Sequence, residues 1–145
     1  MHTFAVEYIF SKEVFEATGG FVEFPLAWGS DDATWVKFAG NHNISIIKPA
    51  KVKWRLSDQN ISGITNANGE TKTNALLLYG KWITDHFKSH PEIEKLKTSM
   101  CNFILQQVKG YLGIISVKQA LKLYTAGIKI WGFSPVPVLR IFISR

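Results

Sequence analysis

The stretch TWVKFAGNHNISIIKPAKVKWRLS, residues 34–57, decides how the chain is read. Gly40-Asn41 and Pro49 cut it into TWVKFAG, NISIIKP and AKVKWRLS, three short runs rich in aromatic and β-branched residues. Runs of that length, composition and spacing predict an antiparallel meander. In the third run Lys51, Lys53 and Arg55 share one side of an extended chain, and Val52, Trp54 and Leu56 share the other. The reading is a sheet with a cationic face toward solvent and an apolar face toward the core.

The same logic extends outward in both directions. HTFAVEYIF (2–10) alternates as a first strand, and Ser11 caps a short helix KEVFEAT (12–18) that stops at Gly19-Gly20. FVEFPLAW (21–28) puts Val22, Phe24 and Leu26 on one side, and Pro25 makes it an edge strand or ends it early. Downstream, the polar segment SDQNISGITNANGET (57–71) reads as a loop. TNALLLYGKWITDHFKSH (73–90) then repeats at Leu76, Tyr79, Ile83 and Phe87, a helical spacing interrupted by Gly80. SHPEIEKLKTSMCNFILQQVKGYLG (89–113) is a second helix, with Ser89 and Glu92 as a capping box and a stripe from Ile93 through Leu96, Met100, Phe103 and Ile104 to Tyr111. SVKQALKLYTAG (116–127) is a third, with Ser116 and Gln119 at its start, Val117, Ala120, Leu121 and Tyr124 inward, and Gly127 as its stop. IKIWGF (128–133) and VLRIFIS (138–144) flank the turn SPVP as a C-terminal β-hairpin. The expected fold is α+β: one domain over residues 1–145, mostly antiparallel sheet in the N-terminal third, two to three helices, and the hairpin.

Composition supports a packed core, since 46% of residues are hydrophobic and only 19% are charged; that balance excludes disorder. The single Cys101 excludes an internal disulfide, and MHTFAVEYIF lacks the cationic start and unbroken apolar run of a secretory signal, so a cytoplasmic setting is expected. The Asn-Ile-Ser triplets at Asn43 and Asn60 carry no weight without secretion. The longest apolar runs, such as LGIISV, fall short of the roughly 18–20 residues that span a bilayer, so no membrane span is expected.

The net charge of +6 is unevenly distributed. Residues 1–50 hold three lysines and six acids, a net of −3, whereas residues 51–145 hold fourteen Lys or Arg against five acids, a net of +9. No acid follows Glu94. Such polarity suggests that the basic part meets an anionic partner.

Two constellations fit that partner. Lys51, Lys53 and Arg55, about 6.6–6.8 Å apart along a strand, are spaced close to successive phosphates of a nucleic-acid strand; as a plain solvent face they only keep the sheet soluble. In the hairpin, Lys129, Trp131 and Phe133 share a face of the first strand and Val138, Arg140 and Phe142 a face of the second; if those faces coincide, cations interleaved with aromatics on one sheet surface stack unpaired bases while neutralising the backbone. The alternative there is a buried strand whose Lys and Arg reach past the rim. Lys118 and Lys122, one helical turn apart, either extend the patch or form a solvated face. No recognition helix of the helix-turn-helix kind is expected, because Gly127 closes the third helix and no short helix follows it.

Reaction chemistry has weaker support. His86 and His90 in DHFKSH have the spacing of two zinc ligands, but Pro91 breaks the helix there and no Cys pair accompanies them. His42 could act as a base only with an acid nearby, Asp31 or Asp32 across a turn of the meander. Cys101, beside Met100 and Phe103, reads as core filler rather than a nucleophile. There is no serine elbow, Walker loop or dinucleotide fingerprint. No catalytic residue, metal site or cofactor is therefore expected. The function expected is a small basic binding protein that contacts nucleic acid through Lys51, Lys53, Arg55, Lys118, Lys122, Lys129, Trp131 and Arg140. The alternative is an inhibitor or accessory factor, for example of phage or mobile-element type, docking on an acidic or nucleic-acid-handling partner protein. A small histidine-dependent hydrolase or nuclease is the third.

Overall fold

The computed structural model describes residues 5–53, 55, 68–111 and 113–132, and every regular element among them is a helix. Five α-helices, α1 (Lys12–Thr18), α2 (Ser30–Ala39), α3 (Gly69–His86), α4 (Ile93–Tyr111) and α5 (Val117–Trp131), are joined by loops that include 3-10 turns at Ala5–Glu7 and Pro25–Ala27. The expected α+β fold is thus corrected: the described residues contain no strand, N-terminal sheet or hairpin.

The correction is sharpest at residues 34–40. Trp35, Val36 and Phe38 have strand-forming side chains, but they lie inside α2. This helix starts behind Gly29, in the left-handed conformation (φ 80°), and ends at Gly40 (φ 52°). Asp31 and Asp32 sit in its first turn and Lys37 in its last, the charge order that a helix dipole favours. Ser30, Ala33 and Thr34 are buried at helical spacing. Lys37 also donates to the Gly20 carbonyl at 2.8 Å, tying α2 to the end of α1. In α1, Ser11 accepts from the Val14 N–H at 3.2 Å, and Gly19 closes the helix at φ 75°.

Residues 43–53 and Arg55 form no regular structure and are exposed; Ile44, Ile46 and Ile47 all stand in solvent. With no strand among the described residues to take up backbone N–H and C=O groups, the alternating pattern does not make a sheet there. Trp54 and Leu56, the expected apolar side of that strand, lie outside the described residues, as do most of the polar loop and the expected strand 138–144.

The core is built by α3, α4 and α5, which pack on one another in all three pairings. Leu76, Ile104, Tyr111, Leu123 and Trp131 form its buried cluster, with Met100, Cys101 and Phe103 against it. α3 begins at Gly69, within the expected loop, because Gly69 must pass close to the turn after α4: a Cβ there would lie 2.9 Å from the Ile114 side chain. Gly80 has the same role further along, since a Cβ would meet the Trp131 ring at 2.5 Å. Gln119 near the start of α5 reaches Thr73 Oγ1 (2.8 Å) and Asn74 Oδ1 (3.1 Å) near the start of α3. The start-to-start bonds and the Gly80–Trp131 contact further along show that the two helices run in the same direction and pack directly, with α4 against both.

α5 continues through Gly127, which is buried rather than terminal, and stops at Gly132 (φ 68°). IKIW (128–131) is its last turn, so the first strand of the expected hairpin is helix. Ser116 does accept from the Gln119 N–H at 3.2 Å, but the Gln119 side chain serves α3 instead of closing a capping box. Just before α4, His90 Nδ1 accepts from the Glu92 N–H at 3.2 Å in place of Ser89.

Candidate functional site

The inward face of α5 is Ala120, Leu123, Gly127 and Trp131, spaced by three, four and four residues. Everything else on the helix follows from that phase. At 100° per residue, Lys118, Lys122 and Lys129 fall within about 40° of one another on the outer side, and all three are exposed. Val117, Leu121 and Ile128 form a second outward stripe about 100° around the helix from the lysines, exposed by 78%, 57% and 39%. Val117 and Leu121 were expected to face inward. Their sequence spacing also suits an apolar face, and only the packing of Gly127 and Trp131 fixes the true phase.

α5 itself carries no acid, because none follows Glu94; Glu70 of α3 reaches only its first residues, accepting from Ser116 Oγ at 2.8 Å. The described ion pairs, Lys12–Glu16, Lys81–Asp85, Lys95–Glu92 and Lys97–Glu94, all lie elsewhere. Lys122 donates to Asn74 Oδ1 at 2.9 Å, a neutral partner.

The other expected contributors separate from this group. Lys51, Lys53 and Arg55 lie in the irregular exposed stretch, outside α5 and its core cluster. Trp131 is 7% exposed and lies in the core, so it has no free ring face for a base. Arg140 lies outside the described residues. Three of the eight expected residues therefore share one surface, and they do so on a helix rather than a sheet.

The histidines do not assemble a reactive site among the described residues. His42 is exposed just beyond the C-terminal end of α2, whereas Asp31 and Asp32 occupy its first turn, some 15 Å away along a helix of this length. His86 stacks on Trp82 (4.8 Å between centroids), and His90 Nδ1 accepts from the Glu92 N–H just before α4. No group of three or more His, Cys, Asp or Glu able to hold a metal occurs among the described residues. Burial pushes the Cys101 thiol pKa up, which disfavours the thiolate. No helix among the described residues is long and apolar enough to cross a membrane.

Two titrating side chains at the α2–α3 junction were not legible in the sequence. Lys72 is fully buried with its ammonium 4.0 Å from the Trp28 ring centroid, and desolvation lowers its pKa from the ordinary 10.5. Tyr79 packs on Gly29 and Phe24, and burial, with Asp32 and Asp31 adding their charge, raises its phenol to about 12. Burial raises Tyr111 in the same direction. These shifts have opposite consequences for stability. The folded chain holds the Tyr79 proton more tightly than the unfolded one, so its contribution is complete below about pH 10 and is lost as pH rises through about 12. Lys72 is the reverse: folding releases its proton more readily, so stability rises with pH from its lowered pKa up to 10.5. Urea unfolding from pH 8 to 12 is expected to show a gentle rise and then a fall, with the fall reduced in Tyr79→Phe. An unchanged alkaline limb in that variant, together with unaltered phenolate absorbance above pH 11, would refute the assignment.

No protein-family model matches the chain, and searches of curated proteins and of solved structures likewise return no match.

Proposed function

We propose that the protein is a basic binding module that takes nucleic acid on the outer face of α5, with no chemical reaction of its own. The observation that carries this reading is the alignment of Lys118, Lys122 and Lys129 on a helix without acids, in the part of the chain that follows its last acid. Cations in a row with no internal counter-charge release condensed counterions when they meet phosphates, and this supplies affinity without sequence preference. A cytoplasmic setting belongs to the same proposal; its support is the single cysteine.

A second reading has a specific observation behind it. The apolar stripe of Val117, Leu121 and Ile128 beside the lysines suits an acidic protein surface with an apolar ridge better than it suits phosphates. A salt titration separates the two. Retention of a mixed pool of single- and double-stranded oligonucleotides, measured from 50 to 300 mM salt, is expected to fall linearly on a log–log plot with a slope of at least about −2.7, or 0.9 for each of the three lysines on duplex DNA. A flat dependence, or no retention at the lowest salt, rejects nucleic acid as the partner.

A further inference from the structure

The N-terminal third is the acidic part of the chain, and it contains a groove of about 650 Å³. Its walls come from Ala5, Val6 and Phe10, the stretch 21–24 and the side of α2 that carries Ser30, Asp31, Thr34 and Trp35. Val6, Phe10, Phe21 and Trp35 supply the apolar surface, and Glu23 and Asp31 are the ionisable groups among its lining residues; no Lys, Arg or His lines it. Val6, Phe10 and Phe21 are exposed by 60%, 40% and 53%. Aromatic side chains this open to water are costly to leave uncovered, and a patch of them in a concave site marks a binding surface.

The walls are held in place from behind. The Val22 N–H donates to Thr34 Oγ1 (3.0 Å) and the Phe24 N–H to Ser30 Oγ (2.8 Å), so two hydroxyls of α2 fix the stretch 21–24. Phe10 contacts Phe21 (5.7 Å between centroids, edge to face), Trp35 (5.7 Å) and Phe38 (5.0 Å), which braces the opposite wall. The groove is therefore formed before any ligand arrives.

We infer that this groove is the docking site for an extended peptide segment of a partner protein that carries arginine flanked by apolar residues. The charge decides the choice. Two carboxylates without a cation repel phosphates and acidic peptides, and an apolar ligand alone would leave Glu23 and Asp31 facing it unpaired. A guanidinium satisfies both kinds of wall, because it stacks on aromatic faces and takes carboxylates through its fork of N–H donors. A groove of this volume holds a few side chains, in the ordinary range of about 300–1,000 Å³ for ligand pockets, which suits a peptide segment better than a folded surface. The site lies on a different part of the chain from α5 and does not depend on the function proposed for that helix.

The test uses the full chain and fluorescence polarisation with the labelled peptide acetyl-Leu-Arg-Leu-Arg-Leu-amide and its counterpart with Gln for Arg. The arginine peptide is expected to bind at least tenfold more tightly. Glu23→Gln reduces that preference, and Glu23→Gln with Asp31→Asn removes it. Asp31 also accepts from the Asp32 N–H at 3.0 Å in the first turn of α2, so the double variant is checked by thermal melting. Glu23 makes no described hydrogen bond, and Glu23→Gln alone keeps the test valid if the double variant melts early. Equal binding of the two peptides, no binding of either, or an arginine preference that survives Glu23→Gln undiminished would overturn the inference.

Discussion

Trp131→Ala is expected to destabilise the fold by about 3–5 kcal/mol, the cost of truncating a buried Trp or Phe, and to lower the melting temperature by roughly 10–16 °C. The ring is in the central cluster with Leu76, Ile104, Tyr111 and Leu123, and it covers Gly80 closely enough that a Cβ there would sit 2.5 Å from Cζ2. Removing it opens a void between α3 and α5 that neither helix can fill, because the glycine opposite has no side chain. Gly80 supplies the complementary half of the prediction. Gly→Ala inside a helix ordinarily gains about 1 kcal/mol, but overpacking a fixed core costs about 1–3 kcal/mol. At 2.5 Å from a ring with little room to retreat, the overlap wins, and Gly80→Ala is destabilising. In a Trp131→Ala background the overlap vanishes and the same substitution becomes neutral or stabilising. That reversal of sign, measured as a double-mutant cycle by urea unfolding, is the signature of direct contact. A Trp131→Ala protein that melts normally but loses nucleic-acid binding would instead restore the ring as an exposed stacking platform.

What could be read from the sequence depended on whether a local signal had a local cause. Ser11 and Gly19-Gly20 bracket α1, and Ser116 opens α5, because caps satisfy backbone groups within a few residues and need no tertiary partner. The helical stripes of α3 and α4 were legible for the same reason. The sheet was misread because alternation over six or seven residues is necessary for a strand but does not provide one: pairing comes from elsewhere in the chain, and the described neighbours of residues 43–53 provide none. Within residues 30–40 the deciding signals were present, Gly29 and Asp31-Asp32 before and Lys37 and Gly40 after, but the β-propensity of Trp35, Val36 and Phe38 outweighed them. Gly127 shows the converse. A glycine near the end of a helical pattern reads as a stop, yet this one is buried on the inward face of a helix that continues to Trp131, and only packing against other helices distinguishes the two uses. That error moved Lys129 and Trp131 onto a hairpin and hid the fact that Lys118, Lys122 and Lys129 share one face.

The combined variant Lys118→Gln, Lys122→Gln, Lys129→Gln follows from that shared face. All three side chains are exposed, and the one described bond at risk is Lys122 to Asn74, so the melting temperature should change little; surface substitutions of this kind stay within about 0.5 kcal/mol each. Nucleic-acid affinity responds quite differently. If each lysine neutralises one phosphate of a duplex, the log–log salt slope becomes shallower by about 2.7, and between 50 and 200 mM salt the affinity of the unaltered protein falls by about 40-fold more than that of the variant. Replacing Lys51, Lys53 and Arg55 by Ser serves as the comparison, since it removes as many charges from an exposed irregular stretch outside α5. General attraction to net positive charge would make the two triple variants equivalent, whereas a site on α5 makes the helix variant the weaker binder by a wide margin. Equal losses, or a greater loss from residues 51–55, would remove α5 as the binding face. Val117→Ser with Leu121→Ser completes the comparison: on the nucleic-acid reading these changes leave the slope unaltered, and a loss of binding confined to them, at constant slope, would transfer the outer face of α5 to a protein partner.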